Sequence, residues 1–335
     1  MGRAGRQGPE QRRGPGGKLE MNSVSDGGAR GNLPLVWSSA YEVDIGLHVF
    51  PTMKYRLVRN ALMEAGVASE KDFLLPPPAT WEEVGAVHSQ QYLEKIRRGQ
   101  FSTRDLMTLE LPFSAALRDA SLLCCGGTTL TARRALTRGV AVHLGGGFHH
   151  AFRDHGEGFC LLNDVAVALV CLLEERVVSR CAVVDLDVHQ GNGTAAIFRE
   201  DPRVFTMSMH QERNYPFPKP PSDLDVGLAD GTRDEAYLSL LREALEQVLN
   251  RQRPELVIYL AGADPFVEDQ LGGLSLTKAG LEERDRVVLE WCTRAGASVA
   301  LVLAGGYARR GEDTVAIHRR SVDVAREVSF RNVEQ

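Results

Sequence analysis

The stretch Cys181-Ala-Val-Val-Asp185-Leu-Asp187-Val-His189-Gln-Gly-Asn192-Gly193 decides how this chain is read. Its apolar first half predicts a buried strand over residues 181–188. A strand has a side-chain period of two, so Asp185, Asp187 and His189 are predicted to project to one side as the strand runs out. Two carboxylates and an imidazole beside an apolar strand are costly unless they are hydrogen-bonded or hold a cation. Helix capping or turn formation accounts for one aspartate but not for three aligned polar groups, so this segment predicts a metal site.

Further apolar runs flank it at 140–144, 256–261 and 298–304, each ending in Gly, Asp or His. Amphipathic stretches at 233–250 and 277–295 read as helices between them. That alternation predicts an α/β fold, one domain with a central, mainly parallel β-sheet flanked by helices on both faces. In such sheets ligands bind beyond the carboxyl ends of the strands, where these polar clusters lie. The chain shows neither an internal repeat nor a linker in its middle, so one domain is expected over 33–335. Residues 1–32, rich in Gly, Arg, Gln and Pro, are expected to form a disordered tail.

Composition narrows the function. The 335 residues are 43% hydrophobic and 25% charged, a globular composition. The 39 basic and 44 acidic side chains leave a net charge of -5, without the positive field of a dedicated nucleic-acid binder. No apolar run approaches the roughly 18 residues of a membrane span. The six cysteines lack Cys-x-x-Cys pairing and read as buried thiols in a reducing compartment. A cytoplasmic location is expected, or a nuclear one in a eukaryote.

Three other strand ends carry chemistry. Leu256-Val-Ile-Tyr-Leu-Ala-Gly-Ala-Asp264-Pro offers a third metal ligand, although an Asp-Pro turn alone would explain that aspartate. Two Asp and one His leave a coordination position open, as in a catalytic zinc site. His143-Leu-Gly-Gly-Gly-Phe-His149-His150 supplies two adjacent proton-transfer groups behind glycines that admit a substrate. It lacks both the Gly-x-Gly-x-x-Gly spacing and the Lys-Ser/Thr of phosphate-binding loops. His155-Gly-Glu-Gly-Phe159-Cys160 places an aromatic between glycines, and Leu301-Val-Leu-Ala-Gly-Gly-Tyr307 ends in a tyrosine that could donate to an oxyanion.

Together these motifs resemble the zinc-dependent histone deacetylase family, from about residue 33 to about 325, and within it the class IV branch and its bacterial relatives. The class IV likeness rests on Asp187-Val-His189-Gln-Gly-Asn192-Gly, on Asp269-Gln-Leu-Gly-Gly-Leu-Ser-Leu276, and on the lack of a Pro-Gly-Thr-Gly loop after His210. The resemblance implies the arginase/deacetylase fold and removal of acetyl or longer acyl groups from lysine. It implies that Asp187, His189 and Asp264 bind zinc, that His149 and His150 handle protons, and that Tyr307 binds the substrate carbonyl oxygen. Asp185 would orient His149. Asn192 stands where class I enzymes have an Asp behind the second histidine, so which histidine is the base stays open, with His150 favoured. Gly158, Phe159, Tyr215 and Leu271 would border the substrate channel. A structural potassium ion is expected at Asp185, Asp187, His189, Ser208 and Met209. Hydroxamate-type zinc chelators are expected to inhibit, and acylated lysine peptides or proteins to be substrates.

Hydrolysis of acetylated polyamines is the alternative; it would favour acidic groups at the channel mouth, for which Glu212 and Asp269 are candidates. A binuclear manganese ureohydrolase would need more bridging carboxylates. A non-catalytic acyl-lysine-binding scaffold would not need the full set of reactive side chains present here.

Overall fold

Eight short strands, mostly of small and β-branched residues, set the architecture: β1 Leu35–Val36, β2 Phe73–Leu74, β3 Val140–His143, β4 Cys181–Asp185, β5 Val204–Gln211, β6 Leu224–Leu228, β7 Leu256–Leu260 and β8 Ser298–Val302. They form one sheet in the order β2-β1-β3-β8-β7-β4-β5-β6, with every neighbouring pair parallel. This is a computed structural model, and it describes residues 33–331; the expected tail over 1–32 and residues 332–335 lie outside them.

The central strands are buried on both faces and therefore read as continuous apolar runs. At the edge, β6 alternates between half-buried and exposed residues before ending on the buried Leu228. The helices are α1 Lys54–Glu64, α2 Trp81–Gly85, α3 Gln90–Arg98, α4 Thr103–Leu109, α5 Ala115–Arg138, α6 Asp164–Glu174, α7 Asn192–Phe198, α8 Asp234–Gln252, α9 Lys278–Arg294 and α10 Gly311–Arg331. One layer runs α5, α6, α7 and the other α1, α10, α9, α8, each packed on its neighbours. The expected α/β sandwich is thus present, with the expected central strands and the helices at 233–250 and 277–295 matched to within three residues.

Strands β8 and β7 lie between β3 and β4, so the loops leaving these four strands meet at one end of the sheet. One local expectation is corrected here. The strand starting at Cys181 ends at Asp185 rather than continuing to Val188. Leu186 N still donates to Leu260 O (3.2 Å), after which the chain bends away. The period-two argument therefore covers Asp185 alone; Asp187 and His189 are placed by the following loop.

Candidate metal and proton-transfer site

The glycine loop after β3 is held from beneath. Asp164, in the first turn of α6, accepts hydrogen bonds from Gly147 N (3.0 Å) and Phe148 N (2.7 Å) and from the Thr128 hydroxyl. His143 lies behind it, with Nδ1 3.0 Å from Thr128 Oγ1 and Nε2 2.8 Å from the Tyr41 hydroxyl. Burial drives its pKa down to about 3, so it is a neutral prop.

The loop delivers the two histidines. His149 Nδ1 lies 2.6 Å from Asp185 Oδ2, and His150 Nδ1 lies 2.7 Å from Asn192 Oδ1. Their Nε2 atoms face each other at 3.1 Å. Burial depresses both, but for His149 the carboxylates of Asp185 and Asp187 prevail and raise it to about 9. His150 has an amide in place of a carboxylate, and burial with the charges of His149 and His189 holds it well below its ordinary value. The pair is thus electrostatically split into one proton holder and one free base.

Beside them, Asp187, His189 and Asp264 bring one ligand atom each to within 4.8 Å of one another. His189 Nδ1 lies 3.0 Å from Asp187 Oδ1 and 3.5 Å from Asp264 Oδ2. That Asp264 oxygen is buried without a hydrogen-bond partner, an arrangement that calls for a cation. Gly305 makes the approach possible, because a Cβ there would sit 2.1 Å from Asp264 Oδ2 and 2.5 Å from Asp187 Oδ2. Its own N–H donates to Asp187 Oδ2 (2.8 Å). Two carboxylate oxygens and one imidazole nitrogen, with one oxygen orphaned, fit a metal ion.

A cavity of about 210 Å³ opens onto the cluster. His149, His150, Asp187, His189 and Tyr307 line its interior, and Gly158, Phe159, Tyr215 and Leu271 line its walls. Phe159 stacks on Phe50 at a centroid distance of 6.0 Å and meets the Tyr307 ring edge-on at 6.0 Å. Gly158 has a φ of +51°, and a Cβ there would lie 2.8 Å from the His150 ring and 2.9 Å from the Tyr215 hydroxyl. Only glycine suits both its conformation and its space. Burial and the charges of Asp187 and Asp264 keep the Tyr307 phenol protonated, well above its ordinary pKa.

Ser208 and Met209 lie elsewhere, on β5 alongside the end of β4, where Ser208 is in register with Asp185. Asp269 is not at the mouth: it is buried, and its carboxylate accepts from Leu271 N (2.8 Å), Gly272 N (3.0 Å) and Tyr307 N (2.7 Å). It staples the tyrosine loop. Glu212 is exposed and does not line the cavity; besides Asp187, the carboxylate residue in its lining is Glu110.

Sequence reasoning missed Glu110, Phe50 and Lys54, which sit on stretches without a strand-end motif, and passed over Glu157 inside the stretch His155–Cys160. Lys54 is 1% exposed and donates to Ala304 O (2.6 Å) beneath Tyr307. Burial lowers its pKa to about 8 against the pull of Asp264, Asp187 and Asp269. All six cysteines are buried and unpaired, as expected, and no helix among the described residues is long and apolar enough to cross a membrane.

Comparison with known proteins gives this geometry a context. Residues 48–319 match the histone deacetylase domain model. An uncharacterized protein of Picosynechococcus is 43% identical over 298 residues, covering 88% of this chain and 99% of that one. Histone deacetylase 2 of Arabidopsis thaliana is 31% identical over 295 residues, covering 84% of this chain and 76% of its own. Among solved structures, an HDAC homologue complexed with SAHA superposes with a TM-score of 0.75 at 24% identity, over 88% of this chain and 84% of that one.

Proposed function

The chain belongs to the histone deacetylase family, with its single-sheet deacetylase fold and hydrolase chemistry, and from that premise we propose that it is a zinc-dependent lysine deacylase of the class IV kind. The observation that carries the proposal is the convergence of a split histidine pair, a protonated tyrosine and a buried Asp-His-Asp cluster on one narrow cavity. Asp187, His189 and Asp264 would hold the zinc, which when bound supplies Lewis acidity to the acyl carbonyl and lowers the pKa of a water.

The side chains divide the remaining work. His150, neutral with its lone pair on Nε2, takes the proton from the attacking water. His149, kept protonated by Asp185, delivers a proton to the departing lysine amine. Tyr307 donates its phenolic hydrogen to the oxygen of the tetrahedral intermediate. Phe159, Phe50, Tyr215 and Leu271 exclude water and grip the methylene stem of the acyl-lysine.

Space beside the reacting centre is bounded by Gly146, Gly147, Ala304 and Gly305. A second, small apolar cavity adjoins it, sharing the walls Phe50, Tyr55, Phe148 and Phe159. Both features support acyl groups from acetyl upward. A structural potassium ion fits the reading at Asp185, Asp187, His189, Ser208 and Met209. The likeness to a structure holding SAHA supports inhibition by hydroxamates.

The test is hydrolysis of matched lysine peptides bearing acetyl, octanoyl or myristoyl groups, by zinc-loaded and chelator-stripped protein, with acetylated polyamines alongside. Zinc-dependent peptide turnover blocked by a hydroxamate is expected. Turnover of polyamines only would move the assignment to small amines, and none on any substrate would overturn it.

A further inference from the structure

Behind Asn192 stands a carboxylate. Asn192 Nδ2 donates to Glu157 Oε1 (2.6 Å), and the Tyr215 hydroxyl donates to the same oxygen (2.7 Å). The other oxygen, Oε2, lies 3.4 Å from His155 Nε2, whose Nδ1 is 2.7 Å from Asp154 Oδ1. The segment is fixed by paired backbone bonds, Glu157 N to Cys160 O (3.1 Å) and Cys160 N to Glu157 O (2.9 Å), with Gly158 N bonded to Thr108 O (3.1 Å). Glu157 lies outside the cavity wall and touches none of the reacting groups.

We infer that Glu157 is a positioning residue that fixes the proton on Nδ1 of His150 by way of the Asn192 amide. An ionised carboxylate can only accept hydrogen bonds. The amide must therefore turn its NH2 toward Glu157, since the opposite orientation sets Oδ1 against Oε1 at 2.6 Å, acceptor against acceptor. Its Oδ1 then faces His150 Nδ1 at 2.7 Å, and that nitrogen has to be the N–H. A neutral imidazole has only one such hydrogen, so the lone pair is left on Nε2, toward His149 and the cavity. An asparagine by itself can present oxygen or nitrogen equally well, so Glu157 is what sets the amide, and a protonated His149, whose Nε2 faces the same lone pair at 3.1 Å, favours the same tautomer. The carboxylate that other arrangements place next to the histidine acts here from one link further away.

The inference rests on the deacylase reading for its kinetic consequence but not for its spectroscopic one. Nitrogen-15 spectra of histidine-labelled, zinc-loaded protein report the His150 tautomer directly. The wild type is expected to be Nδ1–H. In Glu157→Gln the terminal amide can donate to Asn192, both amides can turn, and the Nε2–H form appears. With it, kcat falls about tenfold or more while KM and zinc content stay near wild type.

Asn192→Asp sets two carboxylates in contact and is expected to lose activity too. In the double variant Asn192→Asp with Glu157→Gln the glutamine amide can donate to the one remaining carboxylate, so it should be more active than Asn192→Asp alone. A Glu157→Gln protein that keeps the Nδ1–H tautomer overturns the inference, as does a double variant no better than the product of the two singles. If the wild type hydrolyses no acyl-lysine, the deacylase reading fails while the tautomer spectra still decide the role of Glu157.

Discussion

Replacing Gly305 with alanine tests the metal assignment at its tightest point. The φ of Gly305 lies outside the left-handed region, so the backbone accepts alanine and the obstacle is the new methyl alone. That methyl would lie 2.1 Å from Asp264 Oδ2 and 2.5 Å from Asp187 Oδ2. To reach an ordinary contact of 3.4 Å the first oxygen must retreat by about 1.3 Å and the second by about 0.9 Å. Metal–ligand distances tolerate only about 0.2 Å. Disturbing even the groups behind a ligand costs roughly 10- to 100-fold in affinity, so moving two ligands is expected to weaken zinc by about 100-fold or more.

The assay is competition for zinc with a chromophoric chelator, together with deacylase rate against free zinc. Half-saturation should shift to higher zinc by the same factor as the affinity. Gly311→Ala is the control, since a Cβ at Gly311 meets nothing within 4 Å. A folded Gly305→Ala protein that binds zinc with wild-type affinity would refute the placement of the metal between Asp187 and Asp264.

Three further outcomes are expected. Tyr307→Phe should lower kcat by about 10²-fold or more while zinc affinity is unchanged, measured by steady-state kinetics and metal titration, because only the oxyanion donor is lost. Zinc uptake should release protons and tighten as pH rises. His189 is raised to about 10 and Asp264 to about 7 in the metal-free cluster, so the ion must displace a proton that high pH removes; calorimetry in buffers of different ionisation enthalpy reads this, and pH-independent affinity would contradict it. Finally, stability should fall in mild acid. Burial depresses His88 to about 4, between Phe152 O (2.9 Å from Nδ1) and Asn163 N (3.1 Å from Nε2). Its contribution is complete above the unfolded pKa near 6.5 and is lost as pH drops toward 4, about 3 kcal/mol in all. Urea melts across that range, with a reduced acid sensitivity in His88→Asn, check it.

The central strands and the residues that face the cavity from them were legible because burial on both sides leaves uninterrupted apolar runs, and because polar groups at their ends stand out against those runs. Strand β5 was not, since Thr206, Ser208, His210 and Gln211 break its apolar pattern. Helix α5 was hidden for a related reason: buried Gly126, Gly127, Thr128 and Thr129 sit in its middle and blur any 3.6-residue period. At the site, the motifs named the histidines and the Asp-His-Asp cluster. Phe50 and Glu110 come from loops near the N-terminal helices, and Glu157 finds Asn192 across 35 positions. Such partnerships arise from tertiary contact, which no local pattern encodes. The period-two argument failed beyond Asp185 because the chain leaves the sheet as soon as its ladder ends.

The strand order also dictates when the site can exist. β3 and β4 precede β7 and β8 along the chain, yet β8 and β7 occupy the space between them. A growing polypeptide that has emerged only as far as β6 holds both histidines, Asp187 and His189, but lacks Asp264, Gly305 and Tyr307. It also carries two apolar strands, β3 and β4, each paired on one side by β1 or β5 but still without its second native neighbour. Pairing them directly would shut out the later strands, so the emerging chain has to keep an open slot until its last third arrives. On the proposed deacylase reading, catalytic competence is therefore a late event in synthesis, and truncations before residue 264, which lack a proposed metal ligand, are expected to be inactive.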